Sequence, residues 1–462
     1  MKFKLFSICI MSILLSGCVT SAYFYDDVRR PEAPNQVNIY QDFIGDIYPT
    51  TGVNSQLKPK KKHSISVRAH LKGKLCDSLQ STAGTDVYRS CQKIDDDSAW
   101  RNTQEKLWKQ KANIIYDRAN KDGKNRPIVF LIHGFRFDTI DARTSYAIAR
   151  DSLSTAAYEP SISPLFVNIY WDGFQSSGLG IVRAWGQAQA SGPLVGYNLR
   201  FLMNELESKY ADDGIEPAIR VLTHSSGAFV IGAIIGDPSS ALPLMQKENI
   251  ARLTYRSLRY FNFKDDAKSI HDIKLRGLET YQKYGVPQFK DFRIGLLAAA
   301  TPSNTFTDEI YPKRCGDDPE TCRNSELKRM NLKDPLGILN SNVTLLLGFN
   351  PKENGLTKFG LLSTKSSLGG ASGLGADGEL QCLLKEFSRG NNQQHAEQGT
   401  VHPIDMRRNP PEDLKSHDFN LYLTQKKSAL FYDALMDKNI NDNNKQFLVC
   451  TKENGKYVLK IK

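Results

Sequence analysis

Ile219-Arg-Val-Leu-Thr-His-Ser-Ser-Gly-Ala-Phe-Val-Ile-Gly-Ala-Ile-Ile235 passes from strand to helix within one tight turn. Its first five residues are a short, mostly apolar run, the pattern of a strand buried on both faces. Ser226 to Ile235 are small or apolar and read as a helix that packs closely. Between the two lies Thr223-His-Ser-Ser-Gly227. A serine at such a turn is held in a strained conformation with its hydroxyl above the sheet, and the helix start behind it faces developing negative charge.

The same alternation extends outward in both directions. Pro127–Ile132, Leu165–Trp171, Phe292–Ala299 and Val343–Phe349 are apolar runs of strand length, and Val401–Met406 is strand-like. Helical spacing marks Trp100–Asp117, through Leu107, Lys111, Ile114 and Ile115, and also Ala142–Ala157. Leu179–Tyr210 reads as helix interrupted near Gly192-Pro193. Strands alternating with helices predict one α/β domain with a mostly parallel sheet flanked by helices. His63–His70 alternates and is expected as the first strand, which places the domain at 63–462. Cap-like insertions are expected at about 237–290 and 303–340, Gly369–Gly375 as a loop, and a hairpin-like tail at the C-terminus.

The chain has 462 residues, 40% apolar and 24% charged, with 61 Lys+Arg against 50 Asp+Glu. That balance excludes wholesale disorder. No apolar run reaches the roughly 18 residues a spanning helix needs, which excludes a polytopic membrane protein. The surplus of eleven positive charges is scattered, so nucleic acid is not the expected partner. Lys2 and Lys4, the apolar run Leu5–Leu15 and then Leu15-Ser-Gly-Cys18 form the three parts of a secretory signal. The ending resembles the lipobox of bacterial lipoproteins. It implies a signal peptide at 1–17, lipidation of Cys18, and, with Val19 after it, the outer membrane of the cell envelope. Residues 18–62, with four prolines and a lysine cluster at 58–62, are expected as a lipid-anchored tether. Removing Cys9 and Cys18 leaves six cysteines, Cys76, Cys91, Cys315, Cys322, Cys382 and Cys450, available for disulfides in an oxidising compartment. Local closure favours Cys76–Cys91 and Cys315–Cys322, leaving Cys382–Cys450, among fifteen pairings that six cysteines allow. No cysteine pair has metal-binding spacing, so no metal site is expected.

A second motif, Ile132-His133-Gly134-Phe135, directly follows a buried strand. Together with His224-Ser-Ser-Gly227 it resembles the α/β-hydrolase superfamily, in the bacterial branch with an HGF loop and an HSxG elbow. The resemblance covers roughly residues 120–440. It implies a serine hydrolase with Ser225 as nucleophile and an oxyanion hole from the amides of Phe135 and Ser226, with His133 and Gly134 shaping the loop. The elbow departs from Gly-x-Ser-x-Gly at Thr223, where a β-branched residue crowds the turn. The superfamily's chain order of serine, acid, histidine points to Glu353 after Val343–Phe349, with Asp334 the weaker candidate. It points to His417, after the turn Asn409-Pro-Pro-Glu412, as the base. The expected activity is cleavage of a carboxylic ester, lipid or acyl, through an acyl-enzyme without a cofactor. The contrasting expectation is a hydrolase-fold lipoprotein that binds a ligand or protein partner without catalysis, with Thr223 in its favour.

Overall fold

The computed structural model describes residues 20–22, 32–48, 67, 97–134, 137, 139–156, 162–175, 180–235, 285–300, 343–350, 400–406, 418–425, 428–436, 448–453 and 456–461. Its centre is a seven-stranded sheet. Gln36–Gln41 (β2) forms one edge, followed across the sheet by Leu165–Trp171 (β4), Ile128–Ile132 (β3), Ala218–His224 (β6), Asp291–Leu297 (β7), Val343–Phe349 (β8) and Thr400–Asp405 (β9). Every neighbouring pair runs parallel. Every residue of β3 and β4 is buried, as a parallel sheet covered on both faces requires.

The helices divide between those faces. Asp97–Ala119 (α1), Gly180–Asp212 (α3) and Gly227–Ile235 (α4) pack on one another. Thr139–Thr155 (α2), Phe419–Thr424 (α5) and Ser428–Met436 (α6) form the second group. The chain steps from β3 outward to β4, then crosses back past β3 to β6. Right-handed crossovers in opposite directions put α2 and α3 on opposite faces. Two small antiparallel pairs complete the described structure. Thr20–Ala22 (β1) pairs with Gly173–Gln175 (β5), and Leu448–Glu453 (β10) with Lys456–Ile461 (β11), the expected hairpin-like tail.

Six strands lie where the apolar runs predict them, and three expectations change. Residues 36–48 are not tether. Val37, Ile39, Phe43, Ile44 and Ile47 are buried core, and β2 is a strand of the main sheet. Val67, inside the stretch expected as the first strand, is helical and buried. Its N–H donates to the Asp42 carboxylate at 2.7 Å, so it closes over the start of the domain. Gly192-Pro193 does not break α3, which runs through both. A Cβ on Gly192 would meet the Phe229 Cβ at 2.8 Å, and one on Gly196 the Val230 carbonyl oxygen at 2.3 Å. The glycines let α4 press onto α3, and that burial offsets the backbone hydrogen bond that Pro193 removes. The expected insertion at about 237–290, apart from residues 285–290, the one at 303–340 and the Gly369–Gly375 loop lie outside the described residues. Among the described residues, no helix is long and apolar enough to cross a membrane.

Candidate active site

Strands β3 and β6 are neighbours from which the chain departs in opposite directions. In open parallel sheets the crevice beyond the carboxyl ends of such strands is where ligands bind. Both sequence motifs end there. Ser225 follows β6 at φ +56°, a left-handed conformation that non-glycine residues rarely adopt. The turn is tied to its neighbour strand at both ends of the residue. Ser225 N–H donates to the Leu297 carbonyl at 3.0 Å, and the Ser225 carbonyl accepts from Ala300 N–H at 3.0 Å. Ala298, just past β7, is left-handed as well, at φ +47°. Two strained residues on adjacent strand ends are the kind of feature that collects at functional sites.

The residues around Ser225 explain how the turn closes. A Cβ on Gly134 would lie 3.2 Å from the Ser225 Cβ, so the loop after β3 abuts the candidate nucleophile. A Cβ on Gly227 would lie 2.0 Å from Thr223 Oγ1 and 3.1 Å from the His133 carbonyl oxygen. Thr223 thus occupies the space that glycine leaves at 227, and its hydroxyl donates to the Ile132 carbonyl at 3.0 Å. The β-branched residue at the elbow stitches β6 to β3 and leaves the strained turn in place.

His133 is fully buried, and burial lowers its pKa from 6.5 to about 4. Its Nδ1 lies 2.6 Å from the Gly134 carbonyl oxygen and its Nε2 accepts from the Trp171 N–H at 3.2 Å. Those partners assign the proton to Nδ1. The ring stacks on Trp171 at 5.7 Å, and Trp171 Nε1 donates to the His133 carbonyl at 3.0 Å. His133 is therefore neutral and braces the loop after β3 through both ring nitrogens. His224 is buried too, and its ring stacks on Phe419 at 4.8 Å. Phe137 meets both rings, His224 at 6.5 Å and Phe419 at 5.9 Å. This aromatic joint connects the loop after β3, the elbow, and the start of α5. Asp418 caps α5 by accepting from Asn420 N–H at 2.9 Å, and the residue before Asp418 in the sequence is His417.

Of the candidate residues, the structure brings together Ser225, Ser226, His133 and Gly134. Phe135, Glu353, Asp334, His417, Cys18, Cys76, Cys91, Cys315, Cys322 and Cys382 lie outside the described residues. Cys450 sits in β10 opposite Leu459. Among the described residues no cluster could hold a metal ion.

Sequence reasoning missed a buried carboxylate group at the same sheet edge. Asp42 and Asp172 directly follow β2 and β4, whose last residues, Gln41 and Trp171, are paired. Asp42, Asp46 and Asp172 are all buried. Asp42 Oδ1 accepts from Ile44 and Asp46 N–H, Asp46 accepts from Trp100 Nε1, and Asp172 from the Tyr48 hydroxyl. Burial, then the Asp46 carboxylate, push the Asp42 pKa well above its usual 3.8. The overlooked signal was Val37-Asn-Ile-Tyr-Gln-Asp-Phe-Ile-Gly-Asp-Ile47, strand alternation running into apolar residues around two aspartates.

No family model matches the chain, and no curated protein matches it.

Proposed function

We propose that the protein is an envelope-anchored serine hydrolase of the α/β-hydrolase type that cleaves a carboxylic ester. The observation that carries this reading is Ser225 at φ +56° between a buried strand and a buried helix, with Gly134 against it at the switch point of the sheet. A left-handed serine in that position is the conformation in which an elbow presents its hydroxyl. The order β4-β3-β6-β7-β8-β9 supports the reading further, because it sets the ends of β8 and β9 in sequence ahead of Glu353 and His417.

In this mechanism His417 takes the Ser225 proton while Oγ bonds to the ester carbon, and the carbonyl π pair moves onto oxygen. The amides of Phe135 and Ser226 hold that oxyanion. Collapse breaks the C–O bond, and the leaving alcohol takes the proton from His417. Water then repeats the sequence on the acyl-enzyme and releases the acid. Glu353 holds the imidazole tautomer. His133, neutral and already bonded at both ring nitrogens, is not the base. Thr223, the residue that favoured a binder without catalysis, is accommodated by Gly227, which is compatible with a working elbow.

The test is covalent labelling with a fluorophosphonate. The wild-type chain should label and Ser225→Ala should not. A folded wild-type chain that does not label would refute the hydrolase reading.

A further inference from the structure

The first described residues of the chain sit on the edge of the molecule that carries Ser225. Thr20, Ser21 and Ala22 pair with Gln175, Phe174 and Gly173. That short strand, β5, begins two residues beyond the carboxyl end of β4, and Ser225 follows the carboxyl end of β6 in the same parallel sheet. Paired Cα atoms across an antiparallel ladder are about 5 Å apart. Only Val19 separates Thr20 from Cys18, and two residues span no more than about 7 Å. A lipid on Cys18 is thus joined almost directly to the sheet edge that bears the candidate nucleophile.

Among the described residues, exposed charges stand at both ends of the strands, Asp141 and Asp418 at the carboxyl ends. At the amino ends, Lys121, Asp122 and Lys124 are exposed before β3, and Glu216 pairs with Lys290 before β6 and β7, both well exposed. At the carboxyl ends, Ile140 opens α2 just after the β3 loop and is 66% exposed. A single exposed isoleucine is ordinary surface, so the orientation is argued from the place of the anchor.

We propose that the Ser225 edge faces the bilayer and that the substrate is an acyl ester resident in that bilayer. The proposal rests on the serine-hydrolase and lipid-anchor readings above. It makes the anchor an orienting device: acyl chains close to β1 hold the Ser225 edge toward lipid, where ester bonds stand at the interface.

The experiment uses the full lipidated chain in vesicles of phosphatidylethanolamine and phosphatidylglycerol. Two tryptophan reporters, Ile140→Trp and Lys124→Trp, are compared in vesicles with and without brominated acyl chains. Bromine should quench the added emission at 140 at least twofold and leave that at 124 unchanged. A second arm inserts twenty Gly/Ser residues between Val19 and Thr20, a flexible spacer with a mean span of about 25 Å. Hydrolysis of a long-chain fluorogenic ester in the bilayer should fall about tenfold, while turnover of soluble p-nitrophenyl acetate stays the same.

Equal quenching at 140 and 124, or stronger quenching at 124, overturns the orientation. An unchanged rate on the bilayer ester in the spacer variant overturns the substrate class, while the soluble-ester activity shows the hydrolase reading intact. A chain that hydrolyses neither ester defeats the hydrolase reading and the substrate class with it. A chain that does not float with the vesicles defeats the anchor and the orientation together.

Discussion

Replacing Gly227 by alanine would put a methyl group 2.0 Å from Thr223 Oγ1, where an ordinary contact is at least 3.4 Å. The hydroxyl must swing away, which breaks its bond to the Ile132 carbonyl. A buried hydrogen bond contributes about 1 kcal/mol and a forced rotamer costs about 1 kcal/mol more. With residual crowding against the His133 carbonyl oxygen, the expected loss for Gly227→Ala is about 2–4 kcal/mol. Thr223→Ala removes the same hydrogen bond and a methyl group, for about 1–2 kcal/mol. The double variant has no colliding hydroxyl and loses the bond only once. It should be less destabilised than the sum of the singles by about 1–3 kcal/mol. Urea unfolding followed by tryptophan fluorescence measures this, since Trp171 is buried against His133 and reports on the same region. Fluorophosphonate labelling of the four proteins gives a second readout, in which the double variant should regain labelling that Gly227→Ala loses. Costs that add to within about 0.5 kcal/mol would show that Thr223 and Gly227 do not share the space assigned to them.

Four further substitutions test the same reasoning at other positions. His133 has its folded pKa lowered to about 4, so its contribution is complete above about 6.5 and is lost as the pH falls toward 4. Wild type should lose about 3 kcal/mol more than His133→Phe between pH 7 and pH 4, read from urea midpoints across that range. Asp42 has the opposite sign. Its raised pKa gives stability that is full below about 3.8 and is lost as the pH rises through the folded value. Asp46→Asn removes one of the charges that raise it and keeps an oxygen for Trp100, so stability should decline less with rising pH; an unchanged slope refutes the coupling. Gly196→Ala sets a methyl 2.3 Å from a backbone oxygen of α4 and should cost about 1–3 kcal/mol by thermal or urea unfolding. Gly123→Ala, in open space at φ +68°, should cost only about 1 kcal/mol of backbone strain.

The strands most readable in the sequence were those buried on both faces. Ile128–Ile132 is an uninterrupted apolar run, and Leu165–Trp171 and Val343–Phe349 are interrupted only by Asn168 and Thr344, because all their residues but Thr344 are buried. The edge strand Gln36–Gln41 escaped because it mixes Gln36, Asn38 and Gln41 with its apolar residues and follows two prolines. Its polar residues find partners that only the folded sheet supplies, such as Asn168 bonding Asn38 at 2.8 Å. Helix α3 was misread in part because Gly192 and Pro193 break isolated helices, and only the approach of Phe229 and Val230 shows what the glycine gap is for. At the elbow, the local motif announced Ser225 and its neighbours, since a strained turn demands particular residues within a short span. The aromatic joint of Phe137, His224 and Phe419 was not legible, because its members are spread over more than a third of the chain and meet only through the sheet.

The length of α3 sets a dimension that neither the sheet nor the elbow sets. Its 33 residues extend about 50 Å at 1.5 Å each, whereas a seven-residue strand covers about 23 Å. Gly192 meets Phe229 within the first turn of α4, level with the Ser225 end of the sheet. The twelve residues Gly180–Ser191 continue past that point for about 18 Å along the helix axis, and β5 packs against the helix. One continuous element thus leads from the β5 end of the sheet back to the start of β6, and removing a helical turn from it would draw those two points about 5.4 Å closer.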